Sequence, residues 1–159
     1  MTDASRFIDA TDPLSPPAGL EGAVVAIGNF DGLHRGHRGV IARARALAAR
    51  LGKPCAVLTF EPHPADFFAR KSVIFRLTSH EAKAAFLARL GLDGMIVLTF
   101  DAALSGLTAL QFVDDVLDAL QLVAERAFGG AQAWRDVGVN LTVRRVESEH
   151  HARILGENL

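Results

Sequence analysis

At 159 residues, half of them hydrophobic, the chain has the length of one domain and enough apolar side chain to bury a real core. Its formal net charge of −1 gives no electrostatic basis for binding nucleic acid or an anionic membrane. The one cysteine, Cys55, cannot form an internal disulfide, no basic-then-apolar leader opens the sequence, and no apolar run approaches a membrane span, so a cytoplasmic protein is expected.

Residues 1–22, with Pro13, Pro16 and Pro17 among scattered polar residues, read as an irregular lead-in, although Arg6-Phe7-Ile8 can add a short edge strand. The continuous apolar run Ala23-Val24-Val25-Ala26-Ile27 predicts a strand over 23–28, buried on both faces of a parallel sheet. A helix over 36–51 is predicted next. Val40, Ile41, Ala44, Leu47, Ala48 and Leu51 recur at helical spacing, Arg38, Arg43, Arg45 and Arg50 fall largely off that stripe, and Gly52 ends it. A strand over 55–60 carries Cys55 as an inert, buried thiol; a loop and extended residues 73–77 follow. Thr78 with Glu81 makes a capping-box pattern for a helix over 80–90, closed by Gly91, and a strand over 94–100 comes after it. Thr108 with Gln111 opens another helix, striped by Phe112, Val113, Val116, Leu117 and Leu120. Further on, a helix through Trp134, a strand from Val139 to Val146 and a solvated tail at Glu147 to His151 are expected. The alternation predicts an α/β fold built on a doubly wound parallel sheet, in which residues 23–159 form one domain.

The turn Gly28-Asn29-Phe30-Asp31-Gly32-Leu33-His34-Arg35-Gly36-His37 has the make-up of a polyphosphate site. Gly28, Gly32 and Gly36 keep side-chain bulk low where backbone must approach a ligand. The first turn of the following helix offers unpaired N–H groups and partial positive charge to an anion. His34 and His37 are three apart, which puts both rings on one face if the helix begins by His34, where they can donate to the same phosphate group. Neither needs to act as a general base, since a phosphate nucleophile is already ionised at neutral pH and its transfer depends on positioning and charge. Metal ligation is the other use of such a pair, but no cysteine or carboxylate lies at a helical offset to complete a set. A plain glycine-rich turn is the bland alternative; strand, glycines, Asp31 and two histidines together favour the phosphate site.

A second segment, Leu58-Thr59-Phe60-Glu61-Pro62-His63-Pro64, ends a strand with two prolines that hold the chain extended at the sheet edge where ligands of parallel sheets bind. Phe60, Phe67 and Phe68 flank this corner and offer flat apolar surface to an aromatic ring system, unless they are simply core. His63 is expected to be a partly exposed loop residue rather than a catalyst.

Together these segments resemble the H-x-G-H nucleotidyltransferases, and specifically the FAD synthetase (FMN adenylyltransferase) domain of the bacterial bifunctional riboflavin kinase/FAD synthetase family. Arg76-Leu77-Thr78 leading to Lys83, Met95 to Asp101, and Phe112-Val113 match it more loosely, so the resemblance covers roughly residues 18 to 120. It implies a Rossmann-like nucleotidyltransferase fold that transfers AMP from ATP to FMN, giving FAD and pyrophosphate. It also implies His34 and His37 as catalytic residues, and Gly28, Asn29, Phe30, Asp31, Gly32 and Gly36 with them as the nucleotide-binding loop. Phe60, Pro62, Pro64 and Phe68 are the flavin-pocket candidates it implies, with Phe67 packing inward, and Mg²⁺ accompanies ATP, its protein ligand unidentified because Asp31 could equally brace the turn. Past about residue 120 the family's later motifs are missing: Ala127-Phe128-Gly129-Gly130 shares only a Phe-Gly pair with one, and Leu141-Thr142-Val143-Arg144-Arg145 lacks the paired serines of another. The riboflavin kinase barrel of the bifunctional members has no counterpart, so kinase activity is not expected. Two other readings stay open: a nucleotide- or flavin-binding module of the same fold with impaired transfer, and a related nucleotidyltransferase with another acceptor. A homo-oligomer is equally open.

Overall fold

The computed structural model describes residues 7–124; the expected helix through Trp134, the strand at Val139 to Val146 and the tail at Glu147 to His151 lie outside them. In chain order the elements are β1 (Ile8–Thr11), β2 (Val24–Ile27), α1 (Arg35–Leu51), β3 (Cys55–Glu61), α2 (Pro64–Ala69), α3 (His80–Arg89), β4 (Gly94–Thr99), α4 (Ala102–Ser105), α5 (Ala109–Phe112) and β5 (Val123–Ala124). The five strands form one sheet in the order β1-β4-β3-β2-β5, and every pairing is parallel. The α/β, doubly wound architecture expected from the sequence is the one observed.

Side chains alternate along each strand, so the inner strands supply two cores at once. Val24, Ala26, Val57, Met95 and Val97 face one side, where Ile41, Ala44 and Ala48 of α1 and Leu87 of α3 cover them. Val25, Ile27, Leu58, Phe60, Ile96 and Leu98 face the other, against Phe100, Phe112, Leu117 and Leu120. This is why β2, β3 and β4 read as unbroken apolar runs. Gly52 ends α1 in the left-handed conformation (φ 62°), where its N–H reaches the carbonyls of Ala48 and Ala49.

Several local expectations are corrected. The short edge strand that Arg6-Phe7-Ile8 could add does form, but further along: β1 pairs with β4 from Ile8↔Gly94 to Thr11↔Val97, and the Asp12 carboxylate fastens its end by accepting from the Thr99 N–H (2.7 Å) and hydroxyl (2.6 Å). The segment after β3 is not all loop, because Pro64 starts α2 at a position where its missing N–H costs nothing and the His63 ring accepts from the Ala65 N–H. Residues 73–77 join no strand. Ser79, not Thr78, caps α3 by accepting from the Ala82 N–H, since the Thr78 hydroxyl is drawn to Asp31. The reciprocal bonds between Thr108 and Gln111 do form, but α5 widens after one turn into a π-helical stretch, Val113–Asp118.

No helix among the described residues is long and apolar enough to cross a membrane. Cys55 is buried, and burial above all, with Asp93 beside it, pushes its thiol up to about 11, as an inert thiol requires.

Gly94 is where β1 docks: a Cβ there would lie 2.6 Å from the Ile8 carbonyl oxygen and 2.8 Å from Leu20 Cδ1. Gly94→Ala is therefore expected to cost about 1–3 kcal/mol by overpacking. Gly39→Ala, on an open face of α1, should instead add about 0.5–1 kcal/mol. Urea unfolding of the two variants checks the opposite signs.

Candidate active site

Because all strands run parallel, β2, β3 and β4 end on one edge of the sheet. β3 and β4 extend the sheet on one side of β2 and β5 returns on the other, so the loop after β2 stands where strand order reverses, the usual ligand position of such sheets.

That loop is shaped by burial. Phe30 (φ 51°) and Leu33 (φ 42°) adopt left-handed backbone, which is costly for residues with side chains, and both are buried against α1 and β2. Gly32 is left-handed as well (φ 71°), and a Cβ on it would strike Leu77 Cδ1 at 2.8 Å. α1 begins at Arg35 with His34 as its N-cap, one residue ahead of the predicted start, because the His34 Nδ1 accepts from the Gly36 N–H at 3.2 Å. The accepting Nδ1 leaves Nε2–H as the outward donor of that ring. His37, one turn on, stacks on His34 with centroids 3.7 Å apart and meets the Phe30 ring edge-on at 5.3 Å. Burial first, then His34, pushes the His37 imidazole down to about 4, so it is neutral at pH 7. Its Nδ1 and the side-chain oxygen of Asn29 are buried without a partner.

Asp31 braces the turn. Its carboxylate accepts from the N–H groups of Leu77 (2.9 Å) and Thr78 (2.9 Å) and from the Thr78 hydroxyl (2.8 Å). Burial pushes its carboxyl up, but those bonds and the Lys83 charge outweigh it and hold the group below the usual range. Residues 73–78 thus form a strap, and Asp66 of α2 fixes it further back, accepting from the N–H groups of Val73 (2.7 Å) and Ile74 (2.9 Å). Between the strap, the end of β3 and α3 lies a cleft lined by Asn29, Thr59, Glu61, Arg76, Thr78 and Lys83 among others. Arg76 pairs with Glu61 across it. Lys83, half-buried, donates to the Asn29 carbonyl at 2.7 Å, an acceptor it shares with the Thr59 hydroxyl at 3.3 Å.

Of the predicted residues, the structure brings His34, His37 and the loop 28–36 together, and Asn29, Asp31 and Phe60 reach the cleft as well. The flavin candidates divide: Pro62 and Phe68 are exposed, Phe68 at 57%, while Pro64 is buried and Phe60 is only 2% exposed, packed near Phe100 (5.9 Å) and Phe112 (6.3 Å). Phe67 packs inward as expected, and Phe100, which both Phe67 and Phe68 approach, was not foreseen. Thr59, Glu61, Arg76 and Lys83 carried no site role in the sequence, and Thr78, which reads there as a helix cap, joins the cleft instead. Alternation along β3 was the available signal for Thr59 and Glu61, whose neighbour Phe60 turns to the opposite core.

Residues 17–129 match the FAD synthetase family model. The chain belongs to the FAD synthetase family. The match reaches past residue 120 and takes in Ala127-Phe128-Gly129, which corrects the expected limit; β5 continues the sheet in this stretch. This FAD synthetase relative is 43% identical over 96 residues to a bifunctional riboflavin kinase/FMN adenylyltransferase of Pseudomonas fluorescens, covering 60% of this chain and 30% of that one. It is 39% identical over 97 residues to the protein of that name from Escherichia coli K12 (61% and 31%) and 45% identical over 101 residues to that of Listeria monocytogenes (62% and 32%). The chain thus spans about a third of the length of these relatives. Among solved structures, one described as a macrolide-efflux protein from Streptococcus pneumoniae shares the fold, with a TM-score of 0.63, 23% identity and coverage of 75% of this chain and 42% of that one.

Two measurements test the loop. Unfolding exposes His37 to its ordinary value of 6.5, so between about 4 and 6.5 the unfolded chain binds the extra proton; the stability associated with neutral His37 is complete above 6.5 and is lost as pH falls toward 4. His37→Gln is expected to flatten the decline of urea midpoints over that window, and parallel declines would refute the buried neutral ring. Asp31→Ala should speed hydrogen exchange at the Leu77 and Thr78 amides, with unchanged protection counting against the brace.

Proposed function

We propose that this FAD synthetase chain is an FMN adenylyltransferase. An oxygen of the FMN phosphate bonds to the α-phosphorus of ATP, the bond from that phosphorus to the bridging oxygen breaks, and pyrophosphate leaves with the electron pair. The observation that carries this reading is the stacked His34/His37 pair at the mouth of α1, on the same edge of the parallel sheet as the corner after β3.

The loop from Gly28 to His37 receives the ATP phosphates on backbone N–H groups and on the two imidazoles. His34 donates through Nε2. His37 is neutral before ATP arrives, and a polyphosphate beside it favours its charged form, so the ring gathers positive charge as the leaving group gathers negative charge. No proton need be abstracted from the ionised acceptor phosphate. Asp31, occupied by the strap, serves the nucleotide by holding the loop. Mg²⁺ would enter with the ATP phosphates and offset their charge. Exposed Phe68, with Pro62, offers the isoalloxazine an apolar edge, and Phe67 and Phe100 back the Phe68 ring.

Purified protein incubated with FMN, ATP and Mg²⁺ is expected to yield FAD on chromatographic separation. His37→Ala should lower turnover roughly a hundredfold, in line with the loss of a preorganised donor. A folded parent that binds both ligands yet makes no FAD would move the chain to the binding-module reading.

A further inference from the structure

The cleft beside the histidine loop holds charges that are not equivalent. Asp31 spends its carboxylate on three donors of the strap, and Arg76 is paired with Glu61. Lys83 differs: among the described residues no carboxylate lies within 4.0 Å of its ammonium, whose bond is to a neutral carbonyl, that of Asn29. An ammonium has three N–H donors, so one bond to Asn29 leaves two to be directed elsewhere. Burial drives Lys83 below its ordinary value against the pull of Glu61 and Asp31, which is the electrostatic signature of a cation short of a counter-ion. A half-buried charge of this kind is stabilised most by an anion that enters the cleft.

The anion's chemistry follows from where Lys83 is attached. Asn29 belongs to the loop that carries His34 and His37, so an anion held at Lys83 lies against the loop that holds the nucleotide. Resting on the adenylyltransferase reading, we propose that this cleft is the subsite for the acceptor's phosphomonoester group and that Lys83 contacts it directly. The dianion is the nucleophile of the transfer, so Lys83 binds the reacting group and selects for an acceptor that carries it. An acceptor lacking the phosphate loses both the contact and the attacking oxygen. Glu61, held by Arg76, and Asp31, held by the strap, keep their negative charge engaged on either side of this position.

The test compares FMN with riboflavin, which share the ring and differ in the phosphate. Binding to the whole chain is followed by quenching of flavin fluorescence, without ATP and therefore without turnover. The wild type is expected to bind FMN about tenfold more tightly than riboflavin, the effect of one charge-assisted contact. Lys83→Gln keeps a donor for the Asn29 carbonyl and removes the charge; it should bring the two affinities within about twofold by weakening FMN alone, and Lys83→Arg should restore much of the preference. A preference that survives in Lys83→Gln overturns the proposal and leaves the adenylyltransferase reading standing. Failure of the wild type to bind either flavin overturns both. A second measurement needs no variant: in ³¹P NMR of bound FMN, an ammonium contact should lower the pH at which the phosphate takes up its proton relative to free FMN, and an unchanged or raised titration overturns the proposal.

Discussion

The site depends on one carboxylate. Asp31 stands in the turn between β2 and α1 and accepts from two backbone N–H groups and a hydroxyl some 46 or 47 residues further along the chain. A single side chain thereby joins the histidine loop to the strap that walls the cleft. Hydrogen bonds to an ionised acceptor are the stronger kind, and three of them converge here. Asp66, the pairing of Arg76 with Glu61 and a long bond from the Gly32 N–H to the Thr78 hydroxyl (3.4 Å) add to this hold on the strap. The same bonds explain why Gly32 must lack a side chain, for Leu77 is brought into contact with it.

Around that brace, charges are sorted by what occupies them. Asp31 and Glu61 have partners within the protein, whereas Lys83 has no carboxylate partner among the described residues. His37 completes the arrangement as a buried neutral ring that can acquire charge when an anion arrives. On the proposed adenylyltransferase reading, such a site orients and neutralises phosphates and needs no strong base.

The family resemblance was legible because the His34 to His37 spacing and the Phe60 to Pro64 corner are local in sequence and occur in the right order. The individual roles were less so. Phe60 and Phe68 look alike on paper, yet strand alternation sends Phe60 into the core with Phe100 and Phe112, while Phe68 on the short α2 remains at the surface. Thr78 resembles a helix cap, and would be one if Asp31 did not take its hydroxyl and leave the capping to Ser79. Asp9 and Asp12 carried no readable function; one meets His80 at 2.6 Å and the other clasps Thr99, both through pairings that only the docking of β1 creates.

By itself the sequence determined the parallel α/β layering, the placing of the histidine loop at a strand-to-helix turn, and the family, since apolar periodicity and short motifs are properties of neighbouring residues. Tertiary structure alone decided that Asp31 is a brace, that His37 is neutral, and that Lys83 faces a cleft without a carboxylate partner among the described residues. Each of those follows from burial and from hydrogen bonds between segments far apart in the chain, and neither is encoded in local pattern.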